Sequence, residues 1–284
     1  MSATSTFAHR TVRSSPAGRA IVGSPPMRRT IGALRAARVL RPAGRFLVCE
    51  TRAGTVGGYA ISDSGLAVHL RHGSRDVEIF NEIFGRGRMA YEPPPEVATT
   101  LDVLGPLRVS DLGGNIGLFG VYALGRWTVA TLRSYEPDPA NAALLRATIA
   151  ANHTTARWDL VPVAVSNAHT IASFETGLLS ESRLAAADHR SAKTIEVTVV
   201  DLFEQPPVDL LKIDIEGAEW AILGDKRLAS HPARVLVLEW HSRMCPAPKA
   251  RHAARGLLEA AGYEVIDKDL SDTPSNGVMW GLRR

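Results

Sequence analysis

The sequence predicts an α/β protein built on a doubly wound, Rossmann-like sheet with helices on both faces and an N-terminal β/α cap. Three observations predict it. Short apolar runs of strand length alternate with helix-permissive segments from Leu107 to the end of the chain. A glycine loop, Gly113-Gly114-Asn115-Ile116-Gly117, follows the first of these runs directly. An acid, Glu136, closes the second run 23 positions after Gly113, where a carboxylate is placed to accept hydrogen bonds from ribose hydroxyls.

Composition sets the outer limits. With 284 residues and 45% hydrophobic content, the chain can bury an extensive core. It divides into a basic leader (1–45), a cap segment (46–100) and a main domain (101–284). Cys49 and Cys245 lie far apart without metal-ligand neighbours, which argues against a disulfide framework or a zinc site and for a reducing, cytoplasmic setting. No apolar stretch spans a bilayer, since Arg126 interrupts the best candidate, Gly117 to Leu132. The net charge of +4 hides an asymmetry: nine arginines and no acid precede Glu50. The other 24 Lys and Arg face all 29 acids, so the chain from Glu50 onward carries about −5, and no nucleic-acid partner is expected of the folded domain.

Residues 1 to 45 are rich in Ser, Thr, Ala, Pro and Arg, and Ser24-Pro25-Pro26 discourages a continuous helix, so the leader is expected to be mostly disordered. Its composition fits an organelle-type presequence or an anchor for an anionic surface. It also fits a biased, dispensable extension of a chain that prefers Arg to Lys throughout.

From Phe46 to Leu70 the pattern reads as β, with Phe46-Leu47-Val48 and Ala67-Val68-His69-Leu70 around the Gly57-Gly58 turn. Asp76 to Phe84 has helical spacing, and Glu92-Pro93-Pro94-Pro95 breaks the chain before the main domain. Leu107–Leu112 is the first core strand, and its glycine loop feeds a helix to about Leu124, capped by Asn115, whose start offers unpaired N–H groups to a carboxylate or phosphate. Trp127 to Tyr135 is the second strand. Asp138 is the expected N-cap and Pro139 the first residue of a helix to Ala151. Leu160 to Val165 is the third strand. Ile171–Phe174 and Ile195–Val200 flank a polar loop, Leu178 to Lys193, of lid length.

The apolar run Val208 to Ile213 then ends in acid, with Asp214, Glu216 and Glu219 crowding the edge that faces the ligand crevice of an open sheet. Three carboxylates together need a cation or a proton. Lys212 within the strand needs a carboxylate partner, Asp214 or Glu239; Glu219 also suits the first turn of a helix. A divalent cation held by these acids is a further reading, although no second acidic cluster completes its coordination. Val235 to Leu238 is the fifth strand, followed by Glu239-Trp240-His241. A helix, Lys249 to Ala261, and strands at Tyr263–Ile266 and Val278–Trp280 close the sheet.

A dinucleotide fingerprint would carry Gly where Asn115 stands. The loop Asp111-x-Gly113-x-Asn115-x-Gly117, combined with Glu136-Pro137 and the stretch Lys212-x-Asp214-x-Glu216-Gly217-x-Glu219, resembles the FkbM family of S-adenosylmethionine-dependent methyltransferases over roughly residues 75–262. The resemblance implies a class I methyltransferase sheet and S-adenosyl-L-methionine as cofactor. It further implies that Asp111, Gly113, Asn115 and Gly117 surround the cofactor's methionine part, Glu136 holds the ribose, and Val165 and Ser166 line the adenine. By the same resemblance Asp214 would lie beside the sulfonium, and Glu216 and Glu219 would face the acceptor. The implied reaction is O-methylation of a hydroxyl on a sugar, glycolipid or polyketide-like natural product, with Glu216, Asp214 or His241 as candidate proton acceptors. His241 is equally readable as a structural hydrogen-bond partner. An NAD(P)-dependent oxidoreductase and a cofactor-binding scaffold are the rival readings of the same grammar.

Overall fold

The computed structural model describes residues 25–85, 90–177, 183–184, 194–267 and 275–283. Its first elements are helices α1 (Pro25–Val39) and α2 (Ala43–Glu50). α1 forms because Ala33, Ala36 and Ala37 recur at helical spacing and are buried, while its arginines stay exposed. This corrects the expectation of a mostly disordered stretch up to residue 45. Pro25 and Pro26 occupy the first helical turn, where an N–H has no partner in any case, and so start the helix rather than break it. Residues 1–24 of the expected leader lie outside the described residues. α2 corrects the β reading of Phe46-Leu47-Val48. Three consecutive apolar residues fit either state, and here Phe46 is buried while Val48 is exposed on the far side of the helix.

Strands β1 (Leu40–Arg41), β2 (Val56–Ile61) and β3 (Ala67–Arg71) make an antiparallel sheet, and helices α3 (Asp76–Phe84) and α4 (Pro95–Val103) lead out of the cap. The main domain then runs β4 (Leu107–Leu112), α5 (Leu118–Arg126), β5 (Val129–Tyr135), α6 (Pro139–Ala151) and β6 (Trp158–Val161). Asp138 caps α6 as expected, its Oδ1 accepting from the Ala140 and Asn141 amides at 2.8 and 3.2 Å.

The expected third strand, Leu160 to Val165, is two strands. Pro162 has no N–H to continue the ladder, so β6 ends at Val161 and β7 (Ala164–Ser166) joins a second sheet with β8 (Thr170–Glu175), β9 (Arg183–Leu184) and β10 (Thr194–Asp201). Apart from β9, the polar loop from 178 to 193 lies outside the described residues.

β11 (Leu210–Ile213), α7 (Glu219–Leu223), β12 (Val235–His241), α8 (Ala250–Ala260), β13 (Glu264–Asp267) and β14 (Asn276–Leu282) complete the chain. The seven-stranded sheet has the order β13-β14-β12-β11-β4-β5-β6, parallel except where β14 runs against both β12 and β13. This is the expected Rossmann-like sheet.

Alternate residues of each central strand feed two cores. Val235 and Val237 face the core shared with α5, α6 and the cap, while Leu236 and Leu238 face the one containing Trp220 of α7 and Ala254 of α8. The cap thus continues the core of the main domain: Phe46, Leu70 and Phe80 belong to the same cluster as Val109 and Leu132. Because Ala36 is completely buried in that cluster, Ala36→Asp should lower stability by about 2 kcal/mol or more in a urea titration. An unchanged midpoint would return α1 to the status of an unstructured leader.

Candidate active site

Strand register, more than proximity in sequence, assembles the site. Leu112 lies opposite Tyr135 on one side and Ile213 on the other, and Ile213 lies opposite Leu238. The next residue along each strand therefore falls on one rim: Gly113, Glu136, Asp214 and Glu239. A cleft of about 570 Å³, counting the part open to solvent, lies over this rim. Gly113, Asn115, Glu136, Val165, Asp214 and Glu216 are among the residues that line it.

The glycine loop is shaped by packing. Gly113 has φ +79°, and a Cβ there would collide with the carbonyl oxygen of Asp214, so the close approach it permits is between β4 and β11. Gly117 has φ +90°, and a Cβ would press on Leu145, so this glycine packs against α6 instead of facing the cleft. Three amides of the loop are already engaged. Those of Gly113 and Gly114 donate to the Tyr135 carbonyl at 3.1 and 2.9 Å, and that of Asn115 to Glu136 Oε2 at 2.7 Å. Nor does Asn115 cap α5: the N-cap is Gly117, and Asn115 adopts φ +48° with its Oδ1 buried and unpaired.

Glu136 is 4% exposed and takes a second backbone bond, from the Asp138 amide to Oε1 at 2.8 Å. Burial pushes its carboxyl up to about 7 despite those two amides. Asp111 is fully buried behind the rim, accepting from Ser134 Oγ at 2.9 Å, and Ser166 turns toward Asn167. Neither lines the cleft.

Lys212 is 2% exposed. Its Nζ lies 3.1 Å from Asp111 Oδ1 and 3.3 Å from Asp214 Oδ2, donates to the carbonyls of Gly113 at 2.8 Å and Leu112 at 3.3 Å, and stands 5.8 Å from the Phe119 ring centre. Burial works against its charge, yet the two aspartates outweigh it and hold the ammonium above its usual range. The sequence reading named Asp214 as a partner but missed Asp111, which register places directly opposite Lys212.

Glu219 was expected to face the acceptor, and it does not. It is fully buried at the start of α7. Oε2 accepts the Gly217 amide at 2.7 Å, and Oε1 accepts the His241 amide at 2.8 Å and lies 3.2 Å from His241 Nδ1. The other ring nitrogen lies 3.6 Å from Glu216 Oε2. Burial opposes protonation of this imidazole, but the Glu219 hydrogen bond and the charges of Asp214, Glu216 and Glu219 prevail and push it up to about 10. At neutral pH His241 is therefore a cation. Asp214, Glu216 and His241 offer atoms within 4.8 Å of one another, a spacing that could hold a metal ion, and Asp214 also faces Lys212.

Tyr91 is a site residue that sequence reasoning missed. Buried at the end of the cap segment, it brings its hydroxyl 3.3 Å from Asp214 Oδ2 and 3.1 Å from Glu239 Oε2, and its ring packs edge-on to Phe119. Burial, then the charge of Asp214, pushes the Glu239 carboxyl up.

A family model described as the methyltransferase FkbM domain matches residues 111–265. The chain belongs to that family. No curated protein matches it. Among solved structures, it is similar to a methyltransferase FkbM from Methylobacillus flagellatus KT, at 16% identity and TM-score 0.45 over 62% of this chain and 43% of that one. It is also similar to a precorrin-6y C5,15-methyltransferase from Geobacter metallireducens GS-15, at 14% identity and TM-score 0.39 over 66% and 87%. An O-methyltransferase family protein from Burkholderia thailandensis matches at 18% identity and TM-score 0.37 over 66% and 54%. The chain thus spans less than half the length of the Methylobacillus protein.

The cleft of this FkbM-family chain combines apolar and polar surfaces. Val163, Val165 and Phe174 supply an apolar wall, Glu136 a carboxylate, and Asn115 a buried oxygen that lacks a partner. The raised imidazole is directly measurable. The His241 ring should titrate near 10 by NMR, against an ordinary 6.5, and fall toward the ordinary value in Glu219→Gln. Because the folded value is the higher one, its stabilising contribution is complete below 6.5 and is lost as pH rises through about 10. A midpoint at or below 6.5 would mean that burial outweighs the carboxylates.

Proposed function

We propose that the protein transfers a methyl group from S-adenosylmethionine to a hydroxyl of a sugar, glycolipid or polyketide-like natural product. One observation carries the choice of cofactor: the rim is acidic. Glu136, Asp214 and Glu216 all face the cleft, an environment that attracts a sulfonium and ammonium and repels a pyrophosphate. The engaged amides of the glycine loop point the same way, because a nicotinamide dinucleotide would want them for its phosphates.

Each part of the cofactor has a candidate holder. Glu136 would accept the ribose hydroxyls, Val163, Val165 and Phe174 would cover the adenine, and the Asn115 side-chain oxygen would accept from the amino group. The bound cofactor supplies an electrophilic methyl carbon. What remains for the chain is alignment in a cleft from which water is excluded, and acceptance of the hydroxyl proton.

Among the three proton acceptors expected from sequence, Glu216 is the one we assign. His241 is already protonated at neutral pH, and Asp214 is engaged by Lys212 and Tyr91. Glu216 stands at the cleft in a left-handed backbone conformation, φ +53°, with its side chain a quarter exposed. The proton from the acceptor hydroxyl would end on Glu216, whose Oε2 lies 3.6 Å from His241 Nε2.

Calorimetry with S-adenosylhomocysteine tests the reading. Since Glu136 must ionise to receive two hydroxyls, affinity should rise about tenfold between pH 6 and pH 8, and Glu136→Gln should bind weakly and without that dependence. Binding of NAD(P) in place of S-adenosylhomocysteine would favour an oxidoreductase. Cofactor binding without transfer of labelled methyl to any component of a lysate would favour a scaffold.

A further inference from the structure

We propose that the outward faces of α1 and α2 form a docking surface for an anionic lipid bilayer. The inference does not rest on the methyl-transfer reading. Between residues 25 and 56 the chain exposes Arg29, Arg35, Arg38, Arg41, Arg45 and Arg52. The single acid in that stretch, Glu50, is turned inward, accepting from His72 Nδ1 at 2.8 Å and from the Gly73 amide at 3.3 Å. Acids on the neighbouring helix α3 do not neutralise the face either. Asp76 is buried against Arg71, Glu78 lies 3.7 Å from Arg75, and Glu82 has a contact of its own.

Charge alone would suit several partners; the apolar residues between the arginines narrow the choice. Leu34, Val48 and Val56 are 51%, 57% and 52% exposed, three of the six exposed large hydrophobic side chains among the described residues. On α1, Met27, Ile31, Leu34, Arg35 and Arg38 share one side of the helix, opposite the buried Ala33, Ala36 and Ala37. On α2, Arg45 and Val48 point away from the buried Phe46. Guanidinium groups interleaved with aliphatic side chains fit the boundary between phosphate headgroups and acyl chains. A single-stranded nucleic acid would want aromatic side chains for stacking, and the aromatic residue of this stretch, Phe46, is buried. No described helix is long and apolar enough to cross a membrane, so the contact is peripheral.

Sedimentation of the full chain with vesicles tests this. Binding should be strong to phosphatidylcholine vesicles containing phosphatidylserine, weak to phosphatidylcholine alone, and reduced by salt. The triple variant Arg35→Glu/Arg38→Glu/Arg45→Glu should partition about 100-fold less at low salt, with its melting temperature unchanged, because these side chains are exposed. Leu34→Ser/Val48→Ser should weaken binding several-fold and leave less of it resistant to salt. Equal binding to both vesicle types, or wild-type binding by the triple variant, would overturn the proposal. Tighter binding to DNA than to vesicles in the same buffer would reassign the surface to nucleic acid.

Discussion

A buried ammonium holds the centre of the sheet together at the point where the cleft opens. Lys212 joins the end of β4 to the end of β11 through two backbone carbonyls and two aspartates. Desolvating a lysine and two carboxylates costs several kcal/mol per ion, and only the closeness of the opposite charges and the added carbonyl bonds offsets it. The arrangement explains features that otherwise look independent. Gly113 must be glycine because the clamp draws its Cα against the Asp214 carbonyl. Asp111 is invisible from the cleft yet fixes the shape of its floor.

Around that clamp, charge is distributed in layers. Glu219 orients His241, His241 faces Glu216, and Glu216 reaches the cleft. On the other side, Tyr91 has one hydroxyl proton for two carboxylates, Asp214 and Glu239, which therefore compete for it. Lys212 Nζ lies 3.3 Å from Asp214 Oδ2, while burial favours a neutral Glu239. The cap thus reaches into the site through one residue. Removing the cap would expose the core it shares with α5 and α6, and it would also take away the hydroxyl between those two acids.

Much of this was legible in the sequence. Leu210–Ile213 and Val235–Leu238 read as buried strands because apolar residues stand on both faces, Leu107–Leu112 reads as one from its place directly before the glycine loop, and in a parallel sheet the residue that follows such a run reaches the rim. Asp138 declared the start of α6. Other features were hidden for physical reasons. A short apolar triple such as Phe46-Leu47-Val48 has no period, and α1 carries its signal in alanines, whose small burial is masked by four arginines. The direction of Glu219 depends on where His241 returns, 22 positions later. Tyr91 meets Asp214 and Glu239 across 123 and 148 positions, a distance at which no local pattern speaks.

The clamp is best tested by a double-mutant cycle on unfolding free energy, with Lys212→Met, Asp111→Asn and the pair. Lys212→Met alone should cost about 3–5 kcal/mol, because two buried carboxylates lose their counter-charge, and clearly less once Asp111 is already Asn. Costs that simply add, with no coupling between the two sites, would contradict the account.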